Sequence, residues 1–428
     1  MEKCPVTVII IGAGIRGNIY ASYSQLCPDK MKVVGVVDTN AQKRDVIAKI
    51  YNIPSQFEFS SVDDLIKAGK LADAVVISTL DQTHSEITVK MANEKYNILL
   101  EKPMAVSVED CKAIHEAAIK NNIILSVCHV MRYTPNYSEV MRIVESGMLG
   151  EIYSVQHLEA IGNTHFAHSF VRGNWRKQEE TSFSLMTKSI HDIDLINWFM
   201  QGSKCTKVSS FGSLSHFKKD KKPIDAGDAL RCVDCAFESE CAYSAKKIYL
   251  DPARQGNTGW PLNAITQVVD IENIGNAITR GPYGRCVYEC DNDVCDNQVV
   301  NFEFEGGKTA SFTMIAFTED LCVRKTKIYG SKGELHSDGD HQVKFFDFKT
   351  RETTIIYPHE LEQYNMYSGM NNHGGGDYGV ISSFIDSLIL QTPKLNKSDS
   401  LESLTSHILT FAAEKSRLTG SIVCPRDI

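Results

Sequence analysis

The sequence predicts two domains. Residues 1–130 form an α/β unit on a doubly wound parallel sheet, and residues 131–428 an α+β unit on a large, mostly antiparallel open sheet. Three observations carry this. Apolar runs alternate with helical patterns from residue 6 to about 130. After Thr134 several strands follow one another through glycine turns. A chain of 428 residues is also too long for one core.

The first strand lies in VTVIIIGAGIRGNIYASY, residues 6–23, and its apolar run reads as buried on both faces. It breaks at Gly12, Gly14 and Gly17, and a helical pattern begins near Arg16. At a strand-to-helix turn the first glycine permits the turn and the second lets backbone approach a pyrophosphate. The third lets helix pack on strand, which is the Rossmann dinucleotide arrangement. The helix amino terminus, with Ile15 and Arg16, offers N–H groups to phosphate. A second strand, MKVVGVVD, ends at Asp38, about 20 residues on, where a carboxylate accepts ribose hydroxyls and repels a 2′-phosphate. NAD is the expected cofactor, and nearby Lys43 and Arg44 admit NADP.

ADAVVIST (72–79), NILLEKP (97–103) and IILSVCHV (123–130) continue the parallel set. Between them lie the helix HSEITVKMANEKY and one starting near Ser107, where Ser107 and Asp110 have the form of a capping box. Ligands are expected at the carboxyl ends of these strands, where Thr79, His84, Glu101 and Lys102 fall. The second domain reads as a helix at 136–146, the strand EIYSVQHLEAI and one helix near 184–200. The strands KVSSFGSL, NQVVNFEFEG, KTASFTMIAF, RKTKIYG and HQVKFFDF follow, then helices at 377–389 and 402–416.

Composition excludes several classes. A net charge of −8 without a basic stripe argues against nucleic acid, and KKDKK at 218–222 reads as a solvated loop. No run reaches the roughly 18 apolar residues of a membrane span. The first strand starts almost at once, which leaves no expected signal peptide. Thirteen cysteines, an odd number, suit free thiols in a reducing compartment, so a cytoplasmic location is expected.

EKPMAVSVED (101–110), together with the first strand, resembles the glucose–fructose oxidoreductase/inositol dehydrogenase (Gfo/Idh/MocA) family. The likeness continues through residues 126–152, RGNWR (172–176), KSIHDIDLINWFMQG (188–202), HGGGD (373–377) and AAEKSRLTG (412–420). It implies an NAD(P)-dependent enzyme acting on a carbohydrate, cyclitol or glycoside hydroxyl, and an open sheet that often joins subunits in a homo-oligomer. It places the family's catalytic lysine at Lys102 and its catalytic histidine at His191. Alcohol oxidation needs a base within reach of the hydroxyl, and both side chains can serve. Many relatives carry Asp four residues before this histidine. Here Thr187 stands there, with Lys188 beside it, so the proton route runs through Lys188 or Lys102.

THFAHSFVRGNWRK (164–177) is the expected substrate wall, with His165, His168, Arg172, Asn174, Trp175 and Arg176 as donors and aromatic faces. Arg132 and Tyr133 lie where the domains join, and His373 is a further candidate contact. Cys232, Cys235 and Cys241, with a fourth donor among Cys286, Cys290 and Cys295, could hold a structural zinc or be buried free thiols. Two other functional classes share this cofactor site. One is an NAD-containing glycosidase working by transient oxidation and elimination; the other is a non-catalytic dinucleotide sensor.

Overall fold

The computed structural model describes residues 4–370 and 372–428. Six parallel strands make the first sheet: β1 (Val6–Ile11), β2 (Met31–Val37), β3 (Glu58–Phe59), β4 (Ala74–Ile77), β5 (Asn97–Leu100) and β6 (Leu125–Val127). Their order is β3-β2-β1-β4-β5-β6, so the chain reverses direction beside β1. Alternate residues of β1 feed two cores. Val8 and Ile10 join one, and Ile9 and Ile11 the other, which is why the run is apolar without alternation. β3 has two residues, too short for a periodic signal. Ser107 caps the Val108–Asn121 helix by accepting the Asp110 N–H at 3.1 Å.

The second sheet has eight strands: β7 (Ile152–Ala160), β8 (Cys205–Ser213), β9 (Asn297–Phe304), β10 (Lys308–Ile315), β11 (Val323–Gly330), β12 (Gly333–Ser337), β13 (Val343–Asp347) and β14 (Thr353–Ile356). Their order is β14-β13-β12-β11-β7-β10-β9-β8; among the described residues only the interior β7–β10 pair is parallel. Val300, Phe302, Phe312 and Ile328 face the core with the Ile190–Phe199 helix. The opposite face is open, and register sets Phe211, Val299, Thr313, Leu158 and Lys325 in one row across it.

The helix expected over 184–200 is two, Ser184–Thr187 and Ile190–Phe199, broken at Lys188 and Ser189. The two carboxyl-terminal helices, Gly376–Ile389 and Ser400–Thr419, fold back against the first domain. Val127 donates its N–H to the Ser398 carbonyl at 2.9 Å, and Met104 donates to His407 Nε2 at 2.8 Å. Among the described residues, no helix is long and apolar enough to cross a membrane.

Candidate active site and cofactor cleft

The three glycines of the first turn differ in what surrounds them. A Cβ on Gly12, whose φ is +96°, would lie 2.5 Å from the Ser78 carbonyl oxygen; one on Gly17 would lie 2.1 Å from the Gly12 oxygen. Both positions are closed by packing. A Cβ on Gly14 would meet nothing within 4 Å, and no side chain caps the Ile15–Leu26 helix that begins there. Backbone and helix dipole therefore face open space, which fits a pyrophosphate. Asp38 accepts the Ala13 N–H at 2.8 Å and the Asn40 N–H at 2.8 Å, so it is rigidly placed at the end of β2. Arg44 is drawn onto the Asp38 carbonyl, while Lys43 is exposed. These residues fit an adenosine diphosphate with free ribose hydroxyls.

Arg16 is committed elsewhere. Its guanidinium binds Glu101 at 2.5 Å and Asp377 at 2.7 and 2.9 Å, and so ties the first helix to the Gly376–Ile389 helix. Its backbone, not its charge, remains at the helix terminus. Glu101 also accepts from Tyr20 at 2.8 Å and from the Lys102 N–H at 2.8 Å. Burial would raise the Glu101 pKa, but the charges of Arg16 and Lys102 outweigh it and hold the group below its ordinary value. The His84 ring spans the Pro103 carbonyl at 2.8 Å and the Thr79 carbonyl at 3.3 Å, which braces the ends of β4 and β5. The Thr79 hydroxyl pairs with Thr83 at 2.8 Å.

Lys102 leaves β5 into the cleft and donates Nζ to the Thr187 carbonyl at 2.7 Å. That carbonyl ends the short Ser184–Thr187 helix, where the chain breaks at Lys188. Burial lowers the Lys102 pKa; Glu101 and Asp81 oppose the shift, and Lys188 and Arg16 add to it. His191 opens the next helix and is buried, with no partner for Nδ1. Burial and then the charges of Lys102 and Arg324 push its pKa well below the ordinary value, so the ring is neutral at pH 7.

Lys188 is held differently. Its Nζ meets Glu159 at 3.2 Å and the Cys322 thiol at 3.1 Å. Burial opposes its charge, but Cys322 and Glu159 prevail and raise its pKa. Glu159, fully buried at the end of β7, also faces Arg324 at 3.2 Å. Arg324 in turn reaches Asp192 at 2.7 Å, and Asp192 accepts from His157 at 3.0 Å. Asp192 is therefore buried and committed to Arg324 and His157.

The expected substrate wall divides. His165 lies in the cleft with Nδ1 2.9 Å from Cys322, and its ring meets Trp260 edge-on at 4.8 Å. His168 is buried, stacked on Tyr283 at 4.9 Å and bonded to the Tyr249 hydroxyl at 3.0 Å. Trp175 donates to Asp81 at 3.3 Å and so links the wall to the first domain. Arg172 and Arg176 turn away from Lys102. Arg172 is buried and donates to the carbonyls of Arg285 at 2.8 Å and Tyr243 at 2.7 Å; Arg176 pairs with Asp291 at 3.0 Å and Glu180 at 2.8 Å. Arg132 does not line the cleft either: it is buried against Asp194 at 2.7 Å, and the Tyr133 hydroxyl pairs with Ser398 at 2.9 Å. Asn174 is exposed. His373 pairs with Asp377 at 3.2 Å and its ring lies 6.5 Å from that of His191.

Glu159, Trp260, Tyr283, Cys322 and Arg324 belong to this region and escaped the sequence reading. Trp260 alone carried a signal, as one of the chain's three tryptophans and the one set in a glycine- and proline-rich loop. Cys232, Cys235, Cys241 and Cys286 line one cavity of about 20 Å³, with all thiols free. Among the described residues no three His, Cys, Asp or Glu side chains are placed to hold a metal.

Comparison with known proteins agrees with this architecture. Residues 6–129 match a profile described as an oxidoreductase family with an NAD-binding Rossmann fold, and residues 142–422 match its C-terminal alpha/beta domain. The Bacillus subtilis protein YteT, named as an oxidoreductase, is 25% identical over 360 residues, which covers 81% of this chain and 80% of its own. An inositol 2-dehydrogenase of Salmonella typhimurium is 25% identical over 201 residues, 46% of this chain and 56% of its own. The Lactobacillus casei scyllo-inositol dehydrogenase, solved with NAD(H) and scyllo-inositol, shares the fold at a TM-score of 0.64, with 16% identity over 99% of both chains. The chain, with its NAD-binding amino-terminal domain, belongs to the Gfo/Idh/MocA oxidoreductase family.

Proposed function

We propose that the protein is an NAD-dependent dehydrogenase for a hydroxyl of a carbohydrate or cyclitol. The observation that carries this is Lys102, just past the end of β5, whose Nζ is held on the Thr187 carbonyl at 2.7 Å and whose charge acts on the buried His191 ring. The open approach at Gly14 and the fixed carboxylate of Asp38 hold the cofactor, which when bound accepts a hydride. The substrate's hydroxyl proton then needs an acceptor. Lys102 suits that role better than Lys188, because its pKa is lowered while Glu159 and Cys322 keep Lys188 charged. The Thr187 carbonyl aims the Lys102 amine. The neutral His191 ring, with Nδ1 unpartnered, offers a second acceptor and a path for the proton. His165 and Trp260 supply a donor and an aromatic face against a hydroxyl-bearing ring. Relatives named as inositol dehydrogenases support this substrate class.

The row of Phe211, Val299, Thr313 and Leu158 on the open sheet face suits a second copy of the chain, and the free thiols suit the cytoplasm. The direct test incubates the protein and NAD with a panel of sugars, cyclitols and glycosides, following NADH absorbance and released aglycone together. NADH should accumulate with at least one free sugar or cyclitol. Aglycone release without net NADH would replace the proposal with elimination chemistry, and no turnover across the panel would leave a sensor.

A further inference from the structure

A groove of about 360 Å³ lies apart from Lys102, Lys188 and His191, between the Arg172–Arg176 segment and the turn that follows the Ile271–Arg280 helix. Its lining includes five arginines: Arg172, Arg176, Arg231, Arg280 and Arg285. Tyr283, next in the chain to the groove-lining Pro282, stacks on His168, and Trp260 links His168 to His165.

Partners for this charge are few. Asp291 meets Arg176 at 3.0 Å and Arg285 at 2.7 Å, and Glu180 meets Arg176 at 2.8 Å. Otherwise the guanidinium groups rest on carbonyls and, for Arg172, on the Cys232 thiol at 3.4 Å. Arg285 donates to the Arg172 carbonyl at 3.3 Å, and Arg231 to the Ile278 carbonyl at 3.1 Å. Arg172 is almost fully buried and its Nη1 has no partner; Arg231 Nε likewise has none. Arg280 is exposed at the helix end, and its side chain makes no hydrogen bond or ion pair among the described residues.

Like charges gathered this closely repel, and an arginine fork matches the paired oxygens of phosphate, sulfate or carboxylate. We propose that this groove is an oxyanion-binding site, with Arg280, Arg176, Arg231 and Arg285 as its donors. The oxyanion is either a free ion or a charged group on the sugar itself. The inference does not depend on the redox chemistry proposed above.

The test uses the full chain saturated with NAD. Inorganic phosphate, sulfate, glucose 6-phosphate, glucuronate and neutral glucose are titrated by calorimetry and thermal shift. Phosphate and the acidic sugars should bind at least about tenfold more tightly than glucose. Arg280→Glu should weaken them by at least about tenfold and leave the Kd for NAD unchanged. Arg280 has no partner to lose, so the variant should fold, and an unchanged Tm checks that. Tighter binding of the acidic sugars than of free phosphate would assign the anion to the substrate; equal binding would assign a free ion. Anions binding no better than glucose, or an unaffected Arg280→Glu variant, would overturn the site. NADH production from neutral sugars reports separately on the dehydrogenase reading.

Discussion

Replacing Lys102 by Met removes the ammonium and keeps a long unbranched side chain. The structure sets the scale of the effect. The Lys102 ammonium makes one hydrogen bond, to the Thr187 carbonyl at 2.7 Å, and has no carboxylate within ion-pair distance among the described residues. A hydrogen bond to a charged group contributes about 1.5–3 kcal/mol. Removal also relieves the burial that lowers the Lys102 pKa, so the two terms oppose and net stability should change by about 1 kcal/mol or less. Turnover should respond far more. A positioned acid–base group contributes roughly 10²- to 10⁴-fold, or about 2.7–5.4 kcal/mol of barrier. Steady-state NADH production on an active carbohydrate measures this, with Tm and the Kd for NAD as controls.

The pH profile separates a base from a strut. If neutral Lys102 accepts the proton, kcat/KM rises with pH through a pKa below that of an ordinary lysine, and Lys102→Met abolishes that rise. His191→Ala should also slow turnover, and the two losses should not multiply if both groups act on one oxygen. A Lys102→Met enzyme with full turnover would refute the assignment.

Three further predictions concern the cofactor turn and the histidines. NAD should bind at least about tenfold more tightly than NADP, roughly 1.4 kcal/mol, because Asp38 repels a 2′-phosphate; equal calorimetric affinities would shift the role to Lys43. Gly14→Ala should fold normally and lose NAD affinity, whereas Gly17→Ala should lose stability by about 1–3 kcal/mol through its clash with Gly12. Comparable stability losses in both variants would contradict that division. Burial lowers His129 and His168 to about 4 and His407 to about 3. These rings are neutral in the folded chain and charge more readily when unfolded. Their stabilising contribution is full above about pH 6.5 and falls as pH drops toward 4, by up to about 1.4 kcal/mol per pH unit for each. Urea denaturation at pH 7.0, 5.5 and 4.5 tests this, and a stability unchanged across that range would refute it.

What the sequence made legible was local chemistry. Three glycines, a strand end and a carboxylate about 20 residues on define the cofactor turn without tertiary information. β1 shows its double-sided burial as an apolar run, and Ser107 shows its cap. The break at Lys188 and Ser189 was hidden because the apolar spacing continues through it. The arginines misled for a related reason. Sequence reports a guanidinium but not its acceptor, so Arg132 and Arg172, expected at the substrate, are buried on Asp194 and on carbonyls. The Arg16 guanidinium likewise hides its acceptors from the sequence, pairing with Glu101 and Asp377 while its backbone stays at the helix terminus.

Thr187 illustrates the limit most clearly. In sequence it reads as the loss of a carboxylate from the proton path, with the two neighbouring lysines left equivalent. In space a different carboxylate, Glu159, enters from β7 and meets Lys188, and Arg324 from β11 shares it. No pattern near residue 187 announces residues 159, 322 or 324, because a sheet joins strands regardless of their separation in the chain. The pairing makes the lysines unequal. Lys188 keeps its proton beside Glu159, while Lys102, resting on the neutral Thr187 carbonyl, gives up its own more readily. A threonine at 187 is therefore compatible with base chemistry, because its backbone supplies the acceptor that aims Lys102 and Glu159 confines the competing ammonium.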